Sequence, residues 1–227
     1  MTELEKTLKA FVIGATVARD ESHNHVHMIR VYNSSMLIFA NLCNKGKNCE
    51  DLRVRNLITS VALLHDVSDH KYDPDGIYKE SMKLILKDFF CDTDIELIIN
   101  IIDRVSFSKE NKAKQTGKKL DWYDVLGVIG CMVRSIVSDA DKIEAIGLIG
   151  VERCMIYSKH KRMTQGKSIA DKLIVEDLIV HCKEKLFRLK DEFMQTMPGK
   201  EMAEPFHNEM IEKVKELAAE HSIVLNI

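Results

Sequence analysis

Leu63-Leu64-His65-Asp66-Val67-Ser68-Asp69-His70-Lys71-Tyr72 closes a helix predicted over 50–64 and brings two histidines and two aspartates to its end. Two further segments repeat the pattern on otherwise apolar helical stretches, Asn24-His25-Val26-His27-Met28-Ile29-Arg30-Val31 and Ser138-Asp139-Ala140-Asp141-Lys142-Ile143. Burying a charged carboxylate without a partner is costly. Taken singly, His27 and His65 read as hydrogen-bonded core histidines and the aspartates as caps. Taken together, they point to a shared cation.

Outward from these segments the chain reads as helices. Thr2-x-x-Glu5 has capping-box spacing and predicts a first helix to about Ala18. A second carries Met28, Val31, Tyr32, Ser35 and Phe39 and ends near Cys43, before the polar break at 44–48. Asp73-Pro74-Asp75-Gly76 is a turn signature, and helices carrying Tyr78 to Phe89 and Ile95 to Val105 follow. Segments 108–119 and 159–167 read as basic loops, with one long or two abutting helices between Trp122 and Tyr157. The apolar stripes Ile179, Cys182, Leu186, Leu189, Phe193 and Met202, Phe206, Met210, Val214, Leu217 predict two last helices separated by Pro198-Gly199. No stretch alternates as a strand, so the fold class is all-α.

Composition sets the outer limits. With 227 residues, 45% of them hydrophobic, the chain can bury a sizeable core as a single domain, 1–227, with a core at about 20–150 and a C-terminal helical extension at about 170–222. Only 10 glycines and 3 prolines interrupt it. The net charge of −2 argues against stable nucleic-acid binding. Met1 to Phe11 has no apolar signal-like run, and nowhere do about 18 apolar residues follow one another, so a cytoplasmic protein with no membrane span is expected. Cys43, Cys49, Cys91, Cys131, Cys154 and Cys182 form no C-x-x-C and read as reduced thiols.

The ordered motifs His27-x-x-Arg30-Val31, Leu64-His65-Asp66-x-x-Asp69-His70-Lys71, Ser106-Phe107-Ser108, Asp139-Ala140-Asp141-Lys142-Ile143-x-Ala145-Ile146-Gly147 and His181-x-x-Glu184-Lys185-Leu186 resemble the HD superfamily of metal-dependent phosphohydrolases. Within it, they resemble the small stand-alone, YpgQ-like branch of nucleotide pyrophosphohydrolases. Asn24 stands where that branch usually has an aspartate, and Val26 where an aromatic is common. The resemblance implies an HD-domain helical bundle with the C-terminal helices packed on it. It implies His27, His65, Asp66 and Asp139 as metal ligands, and hydrolysis of a phosphoanhydride or phosphoester of a nucleotide by a metal-activated water.

Two imidazoles and two carboxylates suit Mn²⁺ first, with Fe²⁺, Co²⁺ and Mg²⁺ as alternatives. One ion is expected, because no histidine lies between His70 and His160, whereas two-metal relatives of this fold place extra histidines before the last aspartate. If the helix continues through Val67, Asp69 shares a face with His65 and Asp66 and can position water or carry protons. Lys71, Arg30 and Lys142 are cations for an anionic substrate. The alternatives are a non-catalytic nucleotide or metal sensor that retains the fold, and an iron oxygenase, which the missing histidines disfavour. The apolar C-terminal helices also allow a homodimer.

Overall fold

The computed structural model describes residues 1–19, 24–44, 51–117, 120 and 122–225, and among these the chain is all-α, with ten α-helices and no strand. His23, Cys49, Lys118, Lys119 and most of the 44–48 break lie outside the described residues. The contacts divide the chain into two compact units, Met1–Asp141 and Lys142–Ile227.

In the first unit, α1 (Glu3–Thr16) opens with the expected capping box: Glu5 N–H donates to Thr2 Oγ1 (3.2 Å) and Thr2 N–H to Glu5 Oε2 (3.0 Å). Glu5 also accepts the buried Tyr32 hydroxyl at 2.7 Å, tying α1 to α2 (His25–Asn44). Asn24 starts α2 by accepting the Val26 N–H at 2.9 Å. Helix α3 (Leu52–Leu64), capped by Asp51 and buried over most of its length, packs against α1, α2 and α5 (Asp92–Ile102). Between them, α4 (Ile77–Leu86) begins after Gly76, whose φ of 71° lies in the left-handed region that a glycine tolerates.

Segment 107–115, read as part of a loop, is a helix, α6 (Phe107–Gln115), capped by Ser106. Its polarity hid it. What holds it is a buried ion pair, Glu110 with the Arg134 guanidinium of α7 (Tyr123–Glu144), while Arg134 Nε donates to the Arg104 carbonyl at 2.9 Å. Helix α7 is interrupted at Gly127 (φ 60°, ψ −176°). Cys91, Cys131, Cys154 and Cys182 are in no disulfide, but Cys43 is disulfide-bonded, against the expectation of reduced thiols. The absence of C-x-x-C excludes a zinc knuckle but not a cross-link.

In the second unit, α8 (Gly147–Thr164) packs against both α9 (Asp171–His181) and α10 (Met197–Glu220). The Arg162 fork meets Asp177 at 2.6 and 2.7 Å to join α8 to α9. Two π-helical turns, Cys182–Leu186 and Leu189–Phe193, follow α9 and keep Cys182, Leu186, Leu189 and Phe193 buried, as the stripe requires. Pro198-Gly199 does not separate helices as a loop: it forms the first turn of α10 behind the Thr196 cap, where proline's missing N–H costs nothing. At Gly150 a Cβ would lie 2.3 Å from the Ala145 carbonyl oxygen, so only glycine fits. No helix among the described residues is long and apolar enough to cross a membrane.

Removing one partner of a buried pair leaves an uncompensated charge. Arg134→Met should therefore destabilise the fold by about 3–5 kcal/mol in chemical denaturation, and adding Glu110→Leu should restore most of the loss. A double variant no more stable than Arg134→Met would show that the pair is not what holds α6.

Candidate metal centre

His27 stands in the first turn of α2 and His65 immediately after α3; both are buried. Their rings meet edge to face with centroids 5.3 Å apart. His65 Nδ1 lies 2.9 Å from the Ala62 carbonyl oxygen. A carbonyl only accepts, so Nδ1 carries the proton and the neutral ring turns its Nε2 lone pair away from the helix. That Nε2 is buried and has no hydrogen-bond partner.

Two carboxylates close on these nitrogens. Asp66 places Oδ2 3.8 Å from His27 Nε2 and Oδ1 3.8 Å from His65 Nε2. Asp141 Oδ1 lies 3.3 Å from His27 Nε2 and 3.7 Å from His65 Nε2. Donors about 2.1 Å from a shared ion at tetrahedral angles stand roughly 3.4 Å from one another, so the set fits a divalent cation with little adjustment. His27, His65 and Asp66 offer one ligand atom each within 4.8 Å of one another.

Asp141, like Asp66, thus stands against both imidazoles; the resemblance pointed to Asp139. Two residues along an α-helix rotate the side chain by about 200°, so Asp139 and Asp141 leave α7 on opposite sides. Asp139 is wholly buried, as are Val137, Ser138 and Ala140.

The helix also stops sooner than the shared-face argument for Asp69 needs. Residues 65–68 form a turn closed by Val67 N–H to Leu64 O (3.1 Å) and Asp69 N–H to Asp66 O (3.3 Å). Asp69 is exposed, and its Oδ1 accepts the Lys71 N–H at 2.9 Å. Lys71 is exposed with Nζ 3.0 Å from Tyr72 Oη, and Arg30 is exposed one turn beyond His27. Lys142 is buried, at the start of the second unit.

Sequence reasoning also missed Arg19, which follows α1 and donates to the carbonyls of Asp66 and Val67, each at 2.7 Å. Its only signal was a lone cation in a polar break.

No protein-family model matches the chain. It is 30% identical over 175 residues to the uncharacterised protein L803 of Acanthamoeba polyphaga mimivirus; the match covers 72% of this chain and 62% of the length of that relative. It is 27% identical over 223 residues to the uncharacterised protein YpgQ of Bacillus subtilis, 96% of this chain and 94% of that one. The crystal structure of YpgQ in complex with ADP superposes with a TM-score of 0.62 at 21% identity, over 96% of this chain and 95% of YpgQ. An HD-superfamily hydrolase from Bacillus thuringiensis superposes with a TM-score of 0.60 at 24% identity, over 97% of both chains. The chain has the fold of the HD-superfamily hydrolases. In this HD fold, the clustered imidazoles and carboxylates lie at the ends of α2 and α3 and on α7.

The electrostatics of the HD-fold cluster give it a pH signature. Burial works against a charged His65, but the carboxylates of Asp66 and Asp141 outweigh it and push its pKa from 6.5 up to about 9. Burial likewise raises Asp141, yet the two imidazoles hold it well below the usual carboxylate range. For the metal-free protein, the contribution of charged His65 to stability is fully present below pH 6.5 and lost as pH rises through about 9. A cation needs the neutral imidazole, so its binding runs the opposite way. Mn²⁺ affinity measured by calorimetry should climb between pH 6.5 and 9, by up to about tenfold per unit for one displaced proton, and then level off. A flat affinity across that window would remove His65 from the ligand set.

Proposed function

We propose that the protein is a metal-dependent phosphohydrolase that cleaves a phosphoanhydride or phosphoester bond of a nucleotide, using one divalent cation held by His27, His65, Asp66 and Asp141. The observation that carries this reading is the convergence of two imidazole nitrogens and two carboxylates at 3.3–3.8 Å. The ADP bound in the crystal structure of the relative YpgQ supports a nucleotide substrate. The borderline-hard donor set favours Mn²⁺, with Fe²⁺, Co²⁺ and Mg²⁺ as alternatives.

When bound, such an ion polarises a phosphoryl oxygen and lowers the pKa of water. The chain supplies the rest. His65, its tautomer fixed by Ala62, and His27 orient the site. Asp69, exposed on the turn that follows Asp66, accepts or relays a proton. Lys71, on the same turn, meets a non-reacting phosphate, and Arg30 adds positive potential one turn from His27. The role of Lys142, buried in the residue after Asp141, is to place a cation beside the ligand carboxylate in sequence and so favour an anionic substrate.

The decisive experiment is a screen of nucleoside mono-, di- and triphosphates with Mn²⁺ that separates orthophosphate from pyrophosphate release. Turnover of at least one of them is expected; stoichiometric metal and nucleotide binding with no hydrolysis would identify a sensor instead. Asp141→Asn should lose Mn²⁺ while Asp139→Asn retains it, and the reverse result would return the fourth ligand to Asp139. Asp69→Asn should keep the metal and lose roughly 10²-fold in kcat, the range of a proton-transfer group. Lys71→Met should raise KM for a triphosphate more than it lowers kcat, since a contact to a non-reacting phosphate stabilises ground and transition states alike.

A further inference from the structure

Arg19 reaches 47 and 48 residues along the chain to donate from Nη1 to the Asp66 carbonyl and from Nη2 to the Val67 carbonyl, both at 2.7 Å. These carbonyls belong to the turn after α3, and that of Asp66 also accepts the Asp69 N–H at 3.3 Å. A planar two-pronged donor satisfies both at once and holds their relative orientation; a lysine ammonium cannot reproduce that fork. The guanidinium is itself held. Its Cζ lies 4.4 Å from the Tyr72 ring centroid and 5.8 Å from that of Tyr78. Tyr78 is anchored in turn, because the buried Asp73 carboxylate accepts the N–H groups of Tyr78 (3.1 Å) and Lys79 (3.0 Å). Tyr72 also takes the Lys71 ammonium, 3.0 Å from its hydroxyl and 4.8 Å from its ring centroid.

We infer that Arg19 is a positioning residue that fixes the Asp66–Asp73 turn, setting the backbone from which the Asp66 carboxylate reaches the metal and, through Tyr72, the place of the Lys71 ammonium. This rests on the proposed metal site for its functional consequence, but not for the clamp itself. One guanidinium thereby links the ligand end of the turn to its substrate-facing end. Its loss frees both together.

The test compares wild type, Arg19→Met, Arg19→Lys and, as a control at the other end of α3, Arg53→Met, which breaks the exposed Arg53–Asp94 pair (2.6 Å). Two readouts are taken: Mn²⁺ affinity by calorimetry, and amide hydrogen exchange of Val67, Asp69, Tyr72 and Asp73 in metal-free protein. Arg19→Met should speed exchange at these amides and weaken Mn²⁺ by about 10-fold or more, the range for removing an outer partner of a metal ligand. Arg19→Lys should recover part of each loss, and it provides both readouts if Arg19→Met does not fold. Arg53→Met should leave both unchanged. Faster exchange with unaltered Mn²⁺ affinity would make Arg19 a purely structural clamp and overturn the positioning role; unaltered exchange in a folded variant would overturn the clamp as well. If wild type binds no Mn²⁺, the metal reading fails, and the exchange data still decide whether Arg19 fixes the turn.

Discussion

The hydrogen bond from His65 Nδ1 to the Ala62 carbonyl governs the centre of this molecule. It uses the last turn of α3 to fix both the tautomer and the direction of a buried ring, and thereby aims Nε2 at the place where Asp66 and Asp141 meet His27. Two carboxylates brought so close repel each other at low dielectric, and the repulsion is relieved only by positive charge between them. A proton on His65 provides part of that relief. A divalent ion would provide more while releasing the proton, so the same geometry that raises His65 prepares the site for a metal.

Other buried charges in the first unit have found a different solution. Glu110 is matched by Arg134, Glu5 by the Tyr32 hydroxyl, and Asp73 by two backbone N–H groups. Buried atoms without hydrogen-bond partners do occur elsewhere, at Ser35 Oγ, Ser60 Oγ and His207 Nδ1. What separates the His27–His65–Asp66–Asp141 group from them is convergence: two imidazoles and two carboxylates face one another at 3.3–3.8 Å.

The helices were legible because their signals are local. The Thr2–Glu5 capping box, the turn at Asp73 to Gly76 and the apolar stripes each specify structure within one or two turns: α1 opens at the box, α4 begins after the turn, and both stripes are helical. Helix α6 was not legible, because its stability comes from Arg134, 24 residues away from Glu110, and not from an apolar stripe. The site was legible as three segments, since histidine next to aspartate on an apolar helix is unusual composition. Which aspartate of Asp139-Ala140-Asp141 faces the histidines depends on the rotation of α7, and a one-dimensional pattern carries no mark of that rotation. Arg19 was hidden for a related reason: its partners are backbone carbonyls, which every residue possesses.

The division of labour along the Asp66–Lys79 segment follows from these constraints. Asp66 is tied by its backbone to Arg19, whose guanidinium lies against the Tyr72 ring, and Asp73 binds the start of α4, so both ends of the segment are held. Asp69 uses one carboxylate oxygen to brace the Lys71 amide, leaving the exposed remainder of both side chains toward solvent. A turn fixed in this way loses little conformational entropy when it engages a ligand. It also lets residues 68–71 change without disturbing the buried donors, because no hydrogen bond of the Arg19 fork or the His65–Ala62 contact passes through their side chains. In the proposed hydrolase, discrimination among anionic substrates can then diverge at residues 68–71 while His27, His65, Asp66 and Asp141 stay in place.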